Sequence, residues 1–325
     1  MKKNLFYLFL LVLMSCSVNN NPVNPIKFNG EPIILGDPFM YEHQGKYYLT
    51  GTYGTSNEGF PCYISNDMNN WEFKGMLWEK NESSWAKGAF WAPEVKFYND
   101  KFYLTYSGLS KDTDGLLIAL AVSDTPDGPF TDLHAPWFDF GFGAIDGHIF
   151  TDDDNQPYLF FSMNGVKDSY SFGITYGVKL ADDLSRPLGD TVRLIEASQL
   201  WEKVNWNYNR CNEGPFVFKY KDTYYMTYSA NHTFEPNYGI GYATAPSPLG
   251  DWTKAEENPI ANKVPERNIT GIGHNSILHT DRPDEMLIIY HTHADPEHPE
   301  NQQRYANIGK LIINKQGNLL FHPDR

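Results

Sequence analysis

Cysteine is scarce, with three in 325 residues, and no Cys/His spacing of the metal-binding kind occurs anywhere. A small disulfide-framed fold and a zinc module are thereby excluded. Apart from Cys16, only Cys62 and Cys211 remain; they form either one pair outside the cytoplasm or two buried thiols, and both readings stay open. Positive charge is also in deficit. The 26 Lys and Arg stand against 40 Asp and Glu, a formal charge of −14, which argues against a nucleic-acid surface and otherwise serves solubility. Long apolar runs are missing too. Leu5 to Met14 is too short to span a bilayer, and no long window beyond it has helical periodicity.

That short run has a meaning of its own. Lys2 and Lys3 precede it and Leu13-Met14-Ser15-Cys16 closes it, the layout of a signal peptide over residues 1–15. The ending resembles the lipobox of bacterial lipoproteins, in which the cysteine is acylated and becomes the first mature residue. The expectation is a lipid anchor at Cys16, which is the chain's one link to a membrane. It places the protein on a bacterial cell envelope, at its periplasmic or outer face. Residues 16–29, rich in Asn and Pro, are expected to be a flexible tether.

What the chain has in plenty is aromatic residues, at 15%, with 26 Gly and 21 Pro, a composition for many short strands and tight turns. One layout recurs. Glu213-Gly214-Pro215 leads through an apolar run and the turn Lys219 to Asp222 into the aromatic strand Tyr224 to Tyr228. Asp37-Pro38-Phe39, Pro93-Glu94-Val95, Ile145-Asp146-Gly147 and Gly273-His274-Asn275 each lead in the same way through a polar turn into an aromatic or β-branched strand. A second echo follows: small-residue strands, polar turns and then Trp71, Phe130 or Trp252. A supersecondary unit repeated five times, about every 60 residues, predicts an all-β fold. The form expected is a five-bladed β-propeller with four-stranded antiparallel blades around a central channel. It occupies residues 30–325 as one domain.

In a propeller the first strand of each blade lines the axis, so its end residues converge at one mouth. Asp37, Asp146 and Glu213 hold that position in three blades, with Glu94 and His274 in the other two. Crowded carboxyls raise at least one pKa, which burdens stability and serves acid/base chemistry.

The set Gly36-Asp37-Pro38-Phe39, Trp91-Ala92-Pro93-Glu94-Val95, Ala144-Ile145-Asp146, Glu213-Gly214-Pro215-Phe216 and Gly273-His274-Asn275-Ser276 resembles glycoside hydrolase family 43, from about residue 30 to residue 321. The resemblance implies an inverting glycosidase with Asp37 as general base, Glu213 as general acid and Asp146 as the third acid, tuning and orienting Glu213. Inversion needs one protonated and one ionised carboxyl roughly 6.5–9.5 Å apart. Phe39 and Trp91 are candidate sugar-stacking platforms. Arg304 matches a family arginine that reaches toward the innermost sugar. Glu94 is read as structural. His274 matches a family histidine near a calcium or other cation, with no cofactor required for the chemistry. One departure is Asp146-Gly147-His148 where the family commonly has Asp-Pro-Ser, putting the imidazole of His148 near the pocket as a substrate-binding candidate. The implied activity is removal of L-arabinofuranosyl or xylosyl units from plant-type polysaccharides or oligosaccharides by a monomer. Galactofuranosyl or galactosyl units, or a non-catalytic carbohydrate-binding propeller, are the alternatives.

Overall fold

The computed structural model describes residues 25–323, so the signal peptide, Cys16 and most of the tether lie outside the described residues. The chain is all-β, with three 3-10 turns as its helical elements among the described residues. A short hairpin, β1 (Lys27–Phe28) and β2 (Glu31–Pro32), comes first. Then β3 (Gly36–His43), β4 (Lys46–Thr52), β5 (Gly59–Ser65) and β6 (Trp71–Glu79) pair in that order. The next sheet holds β7 (Ala86–Tyr98), β8 (Lys101–Ser110), β9 (Leu116–Ser123) and β10 (Thr131–His134). β11 (Gly143–Thr151), β12 (Pro157–Lys167), β13 (Tyr170–Lys179) and β14 (Val192–Glu196) form another antiparallel run. So do β15 (Asn209–Tyr220), β16 (Thr223–Ala230), β17 (Gly239–Ala245) and β18 (Thr253–Lys254). A parallel pairing of β13 with β15 fuses these two runs into one sheet. β19 (Gly273–His279), β20 (Glu285–His293), β21 (Arg304–Ile313) and β22 (Leu319–His322) complete the chain.

The first strands β3, β7, β11, β15 and β19 each contact the next, and β19 contacts β3. Four of them hold continuous buried runs, as the six buried residues opening β3 illustrate, while β7 alternates along its first half. Aromatic side chains fill the space between runs; Tyr106, for example, packs on Phe60, Trp78 and Phe90.

Residues 25–29, expected in the tether, are part of the fold. Ile26 is buried with Ile33 and Leu35, and its N–H donates to the Ala306 carbonyl at 2.8 Å. One isoleucine among Asn and Pro residues has apolar surface to bury, and the strand bearing Ala306 supplies the partner.

Each first strand carries the same irregularity. The ladder slips between Gly36 and Phe39, Trp91 and Glu94, Ile145 and His148, Glu213 and Phe216, and Gly273 and Ser276. One residue in each slip has a left-handed backbone: Asp37 (φ 47°), Ala92 (46°), Asp146 (58°), Gly214 (59°) and His274 (44°). These are β-bulges, which re-aim a side chain and leave an N–H without a ladder partner. A side chain catches every one of the five. Asp37 N–H donates to His291 Nδ1 (3.1 Å), Ala92 N–H to Thr52 Oγ1 (2.9 Å), and Asp146 N–H to Ser107 Oγ (3.1 Å). Gly214 N–H donates to Asp146 Oδ2 (3.0 Å) and His274 N–H to Ser229 Oγ (2.7 Å). In every case the acceptor belongs to the preceding run of strands, with the last run preceding the first.

Candidate active site

The bulges bring Asp37, Asp146, Glu213 and His274 to one cavity of about 370 Å³, with Trp91 and Arg304 also in its wall. Asp37 is the most tightly held. Its Oδ1 accepts from Arg304 Nη1 at 2.7 Å and its Oδ2 from the Thr52 hydroxyl at 2.5 Å. The Arg304 guanidinium lies over Gly36, where any β-carbon would collide with it, so glycine before Asp37 is a condition of the ion pair. Burial alone would raise the Asp37 pKa. Arg304, His274, His291 and the Thr52 hydroxyl outweigh burial and hold the carboxyl well below the usual carboxylate range.

Asp146 has the opposite balance. Burial pushes its carboxyl up to about 7; His274 and the Gly214 N–H oppose, while Glu213 and Asp37 add to the rise. Its Oδ2 also accepts from the Ser162 hydroxyl at 3.3 Å. Asp37 is thus ionised and Asp146 protonated on the acid side of neutrality. Glu213 is held at both oxygens: Oε1 accepts from the Tyr238 hydroxyl at 2.8 Å and Oε2 from the Cys211 thiol at 3.0 Å. Burial, reinforced by Glu213, pushes both the Tyr238 phenol and the Cys211 thiol well up, so each keeps its proton as a donor. Tyr238 is itself wedged between Gly273, whose missing side chain makes room for the ring, and His291, on which it stacks at 5.6 Å.

The two histidines behave differently. Burial opposes the charge on His274, but Asp37, Asp146 and Glu213 together raise its pKa, and its Nδ1 lies 3.4 Å from Asp37 Oδ1. His291 Nδ1 also approaches Asp37 Oδ1, at 3.5 Å. This is not an ion pair: that nitrogen accepts the Asp37 N–H, and burial with Arg304 nearby keeps the ring well below its usual pKa.

The structure separates some of the residues grouped from sequence. Phe39 and His148 line a different cavity, of about 900 Å³, together with Glu94. There His148 Nδ1 lies 2.7 Å from Glu94 Oε2 and Nε2 lies 3.2 Å from the Val217 carbonyl. The bulge explains it. Residues two apart on a regular strand share a face, but the slip between Asp37 and Phe39, and between Asp146 and His148, turns the later residue away. Arg304 stays with the acids, but its Nη1 is engaged by Asp37. Trp91 is fixed by its indole N–H to Ser56 Oγ at 3.0 Å. A calcium beside His274 finds no support: among the described residues no group of three or more His, Cys, Asp and Glu side chains could hold a metal ion. His274 instead faces carboxyls of which one is already paired with Arg304. Cys62 and Cys211 are both free and buried.

Sequence reading missed Thr52, His291 and Tyr238, which have no local signature. Cys211 had one, standing two residues before Glu213 on the same strand face.

The sequence pattern of glycosyl hydrolases family 43 matches residues 29–318. A solved structure described as a thermostable family-43 glycoside hydrolase is 39% identical and superposes with a TM-score of 0.84, covering 92% of this chain and 95% of that one. The β-D-galactofuranosidase of Aspergillus niger is 23% identical, over 90% of this chain and 84% of its own. An extracellular exo-α-(1→5)-L-arabinofuranosidase of Streptomyces avermitilis is also 23% identical, and the chain spans 61% of that longer protein.

Proposed function

The chain belongs to glycosyl hydrolases family 43 and is a glycosidase, and from that premise we propose that it removes L-arabinofuranosyl or xylosyl units from plant-type polysaccharides or oligosaccharides with inversion. The observation carrying the reading is one cavity that holds an ionised Asp37, a protonated Asp146 and a doubly anchored Glu213. Asp37, kept ionised by Arg304 and Thr52, takes the proton of the attacking water. Glu213, with its carboxyl fixed by Tyr238 and Cys211, protonates the departing oxygen. Asp146 keeps a proton in the cavity near neutral pH and orients the strand bearing Glu213 through the Gly214 N–H. Trp91 offers a stacking face to the sugar. A five-bladed β-propeller is the architecture proposed; the five captured bulges and the cycle of contacts among first strands support it. The chemistry needs no cofactor.

Galactofuranosyl units are the second reading, favoured by the Aspergillus niger relative. A panel of nitrophenyl glycosides of arabinofuranose, xylose, galactofuranose and galactose decides between them. Proton NMR of the first-formed sugar tests inversion, and a product that keeps the substrate's anomeric configuration overturns it. The enzyme acts as a monomer on the cell envelope, anchored by an acyl group on Cys16. The Leu13-Met14-Ser15-Cys16 ending supports this, and an unmodified Cys16 in the mass spectrum of the membrane fraction would refute it.

The raised pKa of Asp146 has a kinetic signature. The buried Asp146 carboxyl gives up its proton at about 7, and that loss sets the alkaline limb of kcat/KM. In Asp146→Asn the carboxyl that keeps a proton up to about 7 is replaced by an amide, so the limb moves to lower pH. An unmoved limb in a folded variant makes Asp146 a structural residue.

A further inference from the structure

The strand pairing that borders the active site has a second cavity on its other face. β13 and β15 pair in parallel at Ser171 with Asn209, Phe172 with Arg210 and Gly173 with Cys211. Ser171, Asn209 and Cys211 line the active-site cavity. Side chains alternate along a strand, so Arg210 points the other way. It lines a cavity of about 420 Å³, within the roughly 300–1,000 Å³ usual for ligand sites. Phe172 borders both cavities.

The lining is aromatic and cationic. The Arg210 guanidinium lies 3.7 Å from the centre of the Tyr170 ring and 4.5 Å from that of Trp206, and its Nε donates to the Trp206 carbonyl at 2.9 Å. Lys167 and Arg193 also line the cavity, and Lys203, outside the lining, holds its Nζ 4.9 Å from the Trp206 ring centre. Arg193 is paired with Glu196. Among the described residues, Lys167, Lys203 and the terminal nitrogens of Arg210 have no carboxylate partner. In a chain with a formal charge of −14, three uncompensated cations beside two aromatic faces run against the overall balance. The segment is also held in advance. Buried Glu202, adjacent to Lys203, accepts from the Tyr228 hydroxyl at 2.9 Å and the Asn212 amide at 3.2 Å, and pairs with Lys254. Its other oxygen accepts the Ser198 and Gln199 N–H groups.

We propose that this cavity binds a hexuronate residue of the glycan on which the neighbouring site acts. Arg210 and Lys167, both in the cavity wall, meet the carboxylate. Tyr170 and Trp206 hold the guanidinium in place, and Phe172 meets the apolar face of the ring. The inference rests on the glycosidase reading, which fixes the ligand as a sugar. It makes the enzyme selective for acidic polysaccharide through a site that takes no part in bond cleavage.

Calorimetric titration with tetragalacturonate, with a glucuronate-bearing xylo-oligosaccharide and with neutral cellotetraose, which carries no unit the active site is proposed to remove, tests it, and the two acidic probes show which uronate the site takes. The wild type binds at least one acidic probe and not the neutral one, and affinity falls as salt rises. Arg210→Ala and Lys167→Glu each weaken that binding at least about tenfold, while hydrolysis of the preferred nitrophenyl glycoside and the melting temperature stay unchanged. The surface change at exposed Lys167 keeps the test decisive where loss of Arg210 disturbs folding. Equal binding of acidic and neutral probes, or unaltered acidic binding in both variants, overturns the site. If no glycoside is hydrolysed yet uronate binding responds to both substitutions, the glycosidase reading fails and the site stands.

Discussion

Asp37→Asn is expected to slow hydrolysis of every substrate by about 10²- to 10⁴-fold, the range for losing a general base. Water must be activated whatever the leaving group, so nitrophenyl glycosides and natural oligosaccharides suffer alike. The substitution keeps size and leaves an acceptor for Arg304 or Thr52, so the bulge and its fold persist. Stability gives an independent check. A carboxyl held well below its usual pKa contributes stability that is present above the unfolded value, about 3.9, and lost as pH falls through the folded one. The wild type should therefore melt above the variant at neutral pH, and the gap should close only in strong acid. A variant that retains more than about a tenth of wild-type kcat/KM removes Asp37 from the mechanism.

Glu213→Gln divides substrates where Asp37→Asn does not. Oligosaccharides leave as poor alkoxides and need the proton, so their kcat falls by about 10²- to 10⁴-fold. Nitrophenolate leaves with little help, so activated aryl glycosides lose far less. Gln still offers an oxygen to Tyr238 or Cys211, so a collapse of the site is not expected. Equal losses on both substrate classes would mean that Glu213 binds or positions rather than protonates.

The strands were legible because the chain repeats its own unit: a polar residue, Gly or Pro, a turn and an aromatic run announce each hairpin. The acids were legible for the same reason, since Asp37 and Asp146 sit at equivalent points of two bulges and Glu213 one residue earlier in a third. The bulge itself was not legible. Its slip is a property of the pairing, and it sends Phe39 and His148 to the other cavity although they stand two residues from an acid. Tyr238, Thr52 and His291 reach the site from loops or second strands, where a tyrosine, threonine or histidine reads as ordinary packing. The tie between β13 and β15 was hidden as well, because a three-residue parallel pairing leaves no periodic trace.

Asp37 depends on residues made much later. Its backbone N–H is held by His291, 254 positions on, and its carboxylate by Arg304, 267 positions on. A ribosome has therefore finished Asp37, Asp146 and Glu213 long before Asp37 is anchored, and a chain stopped short of Arg304 carries all three without the Arg304 hold on Asp37. On the proposed mechanism, activity then reports synthesis through Arg304. Products truncated before it are expected to stay silent toward glycans, and recovery of activity during refolding is expected to time the joining of the first and last runs of strands rather than the formation of any one sheet.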